Sequence, residues 1–150
     1  MPPIQRILLP TDFSSHAKLA EEQACSQARA HGAELHLLFV AEDASAVYPD
    51  ATSQYLLPLT MADALVSAKA ELLKHPDPQW VEGLQIVREV REGNPPGQIV
   101  RYATEHGIGL IVMGTHGRVG LRKLLMGSTT ERVVRNAPCP VTVVRPQASS

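Results

Sequence analysis

A chain of 150 residues fits one domain, able to bury roughly two-thirds of the surface that its unfolded form exposes. Its 44% hydrophobic and 19% charged residues exclude a disordered chain, and a net charge of -1 excludes the broad basic field that nucleic acid or an anionic membrane calls for. Cys25 and Cys139 stand far apart without metal-ligand spacing and read as reduced, structural residues. The first six residues hold no apolar leader core and no run approaches membrane-spanning length, so the expected compartment is the cytoplasm.

Residues 4–9 form an apolar first strand, ended by Pro10, which cannot donate to a ladder. Thr11, Asp12 and Phe13 lead to Ser14 or Ser15, the cap of a helix on which Leu19, Ala20, Ala24 and Ala28 share a face. Gly32 stops that helix, with His31 in its last turn. Residues 35–40 form a second apolar strand. Residues 41–52 show no periodicity and read as a loop long enough to suggest function. A long helix over residues 54–74 follows, with Pro58 marking its true start or a kink, and His75-Pro76-Asp77-Pro78 ends it. Residues 84–90 alternate imperfectly and suggest a more exposed third strand. Asn94 then caps a helix with Pro95 at its first position, a buried stripe of Ile99, Val100 and Ala103, and Gly107 at its end.

Leu110-Ile111-Val112-Met113, an unbroken apolar run next to glycines, reads as a strand buried on both faces. A fourth helix runs to Asn136, residues 141–144 form a fifth strand, and the tail from Pro146 frays. Apolar strands alternating with helices predict one α/β domain over residues 1–150, an open five-stranded parallel sheet with helices on both faces. Ligands of such sheets bind beyond the carboxyl ends of the strands, at the switch point. Strands one, two and four end at Asp12, Val40 and Gly114.

The richest stretch lies between Ile108 and Ser128. Gly114-Thr115-His116-Gly117 forms a turn that lets a ligand approach the backbone. Arg118, Arg122 and Lys123 supply cations, although at least two of the three read as solvated loop charges. Ser128-Thr129-Thr130-Glu131 after Gly127 has the form of a capping box, with serine at the N-cap and glutamate three residues on. A glycine turn, cations and a helix N-terminus together describe an anion site, with phosphate the first candidate. Neither a dinucleotide fingerprint nor a Walker A loop is present. No nucleophile–base pair, nucleophile elbow or histidine-ligand spacing emerges, which disfavours an efficient hydrolase and a transition metal.

The pattern Gly114-x2-Gly117-x9-Gly127-Ser128 resembles the nucleotide-binding signature of the universal stress protein family, and the likeness runs from Ile4 to Val144. The resemblance implies an adenine nucleotide alpha hydrolase-like, Rossmann-like sheet that binds ATP with Mg. In the family the first two glycines border ribose and phosphates, the last glycine and serine hold phosphates, the aspartate touches the nucleotide, and the valine offers its backbone to adenine. The candidate set is thus Pro10, Thr11, Asp12, Val40, Met113, Gly114, His116, Gly117, Arg118, Gly127, Ser128 and Thr129, with Asp12 also a candidate contact for ATP-bound Mg. By itself Asp12 reads equally well as a helix-start residue, and Gly114 with Gly117 as a plain strand-to-helix turn.

The resemblance also implies a homodimer through strand 141–145, whose apolar edge invites pairing. The expected function is a nucleotide-dependent regulatory switch in the stress response, with an unidentified protein partner, slow ATP turnover at most, and no role for nucleic acid or membrane. The alternative is a dimeric scaffold of the same fold that binds no nucleotide.

Overall fold

The structure, a computed structural model, describes residues 3–42, 60–115 and 126–146. Five strands, β1 (Arg6–Pro10), β2 (Glu34–Ala41), β3 (Ile86–Glu92), β4 (Leu110–Gly114) and β5 (Val141–Val144), form one parallel sheet in the order β3-β2-β1-β4-β5. The helices between them are α1 (Ser15–His31), α2 (Met61–Leu72), α3 (Pro95–Glu105) and α4 (Ser128–Asn136), with a short 3-10 turn at Pro78–Trp80. The chain winds outward from β1 to β3 and then crosses back to lay β4 on the other side of β1. That reversal opens a crevice at the carboxyl ends of β1 and β4.

Alternation along the strands builds two cores. Ile7 and Leu9 of β1, Leu35 and Leu37 of β2, and Leu110 and Val112 of β4 face α1, together with Leu72 at the end of α2. Leu8, Leu38, Ile111 and Met113 face the other way, onto Ile99, Tyr102 and Ala103 of α3 and Val133 of α4. Both faces of the central strands are covered, which is why their sequences read as unbroken apolar runs.

The helix on the first face lies close to the sheet because its inner side is small. Ala17, Ala20, Ala24 and Ala28 are buried, whereas Leu19, expected on that stripe, is 45% exposed. It lies about 100° around the helix from Ala20. Ser14 is the N-cap, its Oγ accepting from Ala17 N at 3.3 Å, and Gly32 closes the helix in the left-handed region at φ 63°. Thr60 caps α2, so the described helix starts at Met61; residues 54–59, with Pro58, and residues 43–52 of the expected loop lie outside the described residues. Asn94 caps α3 by accepting from Gly97 N, as the sequence suggests. The third strand starts two residues later than expected, at Ile86.

A polar cluster joins β2 to α3. His36 is 3% exposed, and its ring spans Tyr102 Oη at 2.6 Å and Glu34 Oε1 at 2.6 Å. Burial lowers the His36 pKa, opposed by the hydrogen bond and charge of Glu34. Burial also pushes the Tyr102 hydroxyl up to about 12. The phenol therefore donates to Nδ1, and a neutral imidazole donates from Nε2 to Glu34.

Candidate functional site

The crevice is assembled from three short segments. Pro10 ends β1 in register with Leu38 of β2, and Thr11 N donates to Leu38 O at 2.9 Å, which carries the chain one residue past the strand. A tight turn follows. Phe13 N donates to Thr11 Oγ1 at 3.0 Å, and Ser14 N donates to Asp12 Oδ1 at 2.9 Å. Phe13 itself sits at φ 66°, the left-handed region. A bulky residue there costs on the order of 1–3 kcal/mol and persists only where its surroundings hold it. Its ring stacks on Phe39 of β2 at 4.8 Å between centroids, with planes 17° apart. So Asp12 organises the helix start through one oxygen, two residues beyond the carboxyl end of β1.

The second segment is the end of β4. Met113 and Gly114 are buried and paired with Val143 and Val144 of β5. A Cβ on Gly114 would stand 2.6 Å from the carbonyl oxygen of His16 in the first turn of α1. Only glycine lets β4 and α1 meet this closely, so this position is demanded by packing before any ligand is considered.

The third segment is the start of α4, and here the structure corrects the sequence reading. Gly127, not Ser128, is the N-cap, at φ -64° and ψ 162°, and among the described residues no side chain caps the first turn. Ser128 is the first helical residue, and the carboxylate of Glu131 bonds Arg135 at 2.7 Å instead of reaching back. A capping box needs its serine in extended geometry; with Ser128 already helical, its hydroxyl cannot close the box. In its place, two bonds dock the helix on β4. Gly127 N donates to Thr115 O at 2.7 Å, and the buried Thr130 hydroxyl donates to Gly114 O at 2.9 Å.

The structure thus brings together Pro10, Thr11, Asp12, Met113 and Gly114 at neighbouring strand ends, with Gly127, Ser128 and Thr129 docked on the β4 side by those two bonds. Val40, half-buried near the end of β2, completes the edge one strand further on. His116, Gly117 and Arg118 lie outside the described residues, as do Arg122 and Lys123. Sequence reasoning passed over Phe13, whose backbone geometry leaves no compositional trace, and Thr130, which the capping-box pattern absorbed.

Residues 3–145 match the profile of the Universal stress protein family. A universal stress protein of Methanocaldococcus jannaschii is 35% identical over 142 residues, covering 94% of this chain and 82% of that protein. The solved universal stress protein UspA from Lactobacillus plantarum superposes with a TM-score of 0.76 at 32% identity, covering 97% of this chain and 100% of that one. The universal stress protein from Archaeoglobus fulgidus in complex with dAMP shares the fold, with a TM-score of 0.66 at 21% identity over 95% of this chain and 98% of that one. The chain belongs to the universal stress protein family.

Proposed function

We propose that this chain binds an adenine nucleotide, ATP with Mg, at the β1–β4 crevice and works as a nucleotide-dependent regulatory switch. The observation that carries the reading is the start of α4. Among the described residues its first-turn amides have no side-chain cap, and the turn is docked on β4 through Thr130 and Gly127. Such amides, at the positive end of the helix dipole, suit a phosphate. The phosphate chain lies against Gly127, Ser128 and Thr129; the nucleoside lies toward Pro10, Thr11, Asp12, Val40 and Met113. His116, Gly117 and Arg118 belong to the same set. Asp12 is the group suited to the ribose hydroxyls or to phosphate-bound Mg. The dAMP complex of the Archaeoglobus protein supports an adenine nucleotide as the class of ligand. Membership of the family supports a stress-response role, and the proposed site of action is the cytoplasm.

The chain pairs with a second copy through residues 141–145. The free edge of β5 reads Val-Thr-Val-Val, while the opposite edge strand, β3, carries Arg88, Glu89, Arg91 and Glu92, charges that discourage pairing. One observation favours the alternative, a scaffold that binds no nucleotide: packing against His16 alone explains Gly114.

Calorimetric titration of nucleotide-stripped protein with Mg-ATP, beside the Gly127→Ala/Ser128→Ala double variant, decides between them. Binding in the wild type and none in the folded variant is the expected result. No binding by folded wild type establishes the scaffold.

A further inference from the structure

The strained turn at Phe13 leans on a buried charged pair outside the nucleotide contacts. Glu21, on the inner face of α1, is 1% exposed, and its Oε2 has no hydrogen-bond partner among the described residues. Its Oε1 meets Nδ1 of His75, just beyond the end of α2. His75 Nε2 faces Glu71 Oε1 at 3.4 Å. The imidazole lies 5.4 Å from the Phe13 ring, on a different neighbour from the Phe39 stack. Arg88 of β3 fixes the backbone beneath it, donating to His75 O at 2.9 Å and Leu72 O at 3.1 Å.

The proton count follows from these partners. Lys74 and then His75 hold the Glu71 carboxyl below the ordinary carboxylate range, so Glu71 accepts and Nε2 carries a proton. The bond between Nδ1 and Glu21 also contains a proton, whichever atom owns it. The Glu21–His75 unit therefore holds two protons and is neutral as a whole. Losing one leaves a net negative charge on a carboxylate sealed from water, whose second oxygen has no donor to share it. Buried charge without a counter-charge is costly.

Among the described residues no cation bonds the second oxygen of Glu21. Lys74 stands 3.3 Å from Glu71 Oε2. Arg88 directs its Nε to the backbone carbonyls of His75 and Leu72. Asp12 turns Oδ1 to Ser14 N. On α1, burial and then the charge of Glu21 push the Cys25 thiol up to about 11, so it stays neutral.

We propose that the Glu21–His75 pair is a proton-operated latch on the nucleotide turn. With both protons present, His75 braces Phe13 in its left-handed conformation and Asp12 is presented to the crevice. Loss of one proton releases the ring and weakens nucleotide binding. His75 is thus a positioning residue, acting through Phe13. The inference rests on the nucleotide reading above and adds its control.

The test titrates wild type, His75→Gln and Glu21→Gln with Mg-ATP between about pH 5 and 8, where imidazoles change charge. The ligand's own titration is common to all three proteins. Beyond it, wild-type affinity falls about tenfold as pH rises, while the variants show no added slope. In ligand-free wild type, the backbone amide resonances of Phe13 and Ser14 move with those of the His75 ring; in isosteric Glu21→Gln they stay still. The wild-type amide titration decides the matter if a variant fails to fold. Equal slopes in wild type and folded variants, or wild-type amides that ignore His75, overturn the latch and leave the nucleotide site standing. Absence of Mg-ATP binding by folded wild type at every pH overturns the nucleotide reading, and the latch with it.

Discussion

Among the described glycines, Gly114 leaves the least room for a side chain. A single methyl group there meets the His16 backbone at 2.6 Å, and backbone cannot swing aside as a side chain can. Gly114→Ala is expected to lower stability by about 1–3 kcal/mol, the usual consequence of overpacking, measurable by urea denaturation. An unchanged midpoint would show that α1 and β4 can part without cost. The glycine was legible in the sequence, but its reason was not. The stretch Gly114-Thr115-His116-Gly117 announces a turn; only the fold reveals that a helix start 98 residues earlier in the chain occupies the space where a side chain would go. Phe13 is the reverse case. Nothing in its identity forecasts a left-handed backbone, since that conformation arises from the rings that hold it.

Among the elements, α4 shows where pattern reading misled. Ser128 and Glu131 have the right identities and spacing for a capping box, yet the helix starts one residue earlier than the box requires, and Gly127 caps with backbone alone. Local sequence could not set that phase, because the Thr130–Gly114 hydrogen bond is tertiary. It follows that Thr130 governs where the first-turn amides point. Thr130→Val should lower affinity for Mg-ATP on the order of tenfold relative to adenosine, because only the phosphate end uses those amides. Thr130→Ser keeps the hydroxyl and should restore the ratio. A Thr130→Val protein whose ATP-to-adenosine ratio is unchanged would show that the docking bond serves stability alone.

The pairing of β2 with α3 carries its own pH signature. His36 has a lowered pKa in the folded chain, so the unfolded chain binds the proton more readily between that value and the reference value of 6.5. The contribution is fully present above about 6.5 and is lost as the pH falls toward the folded value. Thermal unfolding followed by circular dichroism should show the midpoint dropping on acidification through that window, and His36→Gln should flatten this part of the profile. A wild-type midpoint that rises on acidification there would contradict the neutral, buried imidazole. The latch at His75 has the opposite sense, so the two histidines separate in experiment: one loses stability as protons are added, the other loses nucleotide affinity as they are removed.

For the whole molecule, the parallel sheet and its two helical layers were legible because they rest on long-wavelength features of the sequence; the strand order came from the structure. Four apolar runs and one mixed strand, separated by helices, leave few alternatives to a doubly covered parallel sheet. The β5 edge was legible in its uncharged sequence, whereas the structure is what puts the charged β3 at the opposite edge. Sedimentation at micromolar concentration should find two copies joined, and a monodisperse monomer would remove the β5 pairing. Because only one edge is receptive, a pairing of like edges about a two-fold axis closes on itself and cannot propagate into a filament.

The bond from Gly127 N to Thr115 O gives the crevice one more property. It ties the two feet of the intervening segment together, independently of what lies between them. Closing a loop costs little more as the loop lengthens, about 0.6 kcal/mol for each doubling. Residues can therefore be inserted, deleted or exchanged between Thr115 and Gly127 while the frame beneath keeps its shape. The strand end and the helix start hold their places whatever the chain between them contains, and the sheet need not be reinvented each time that chain changes.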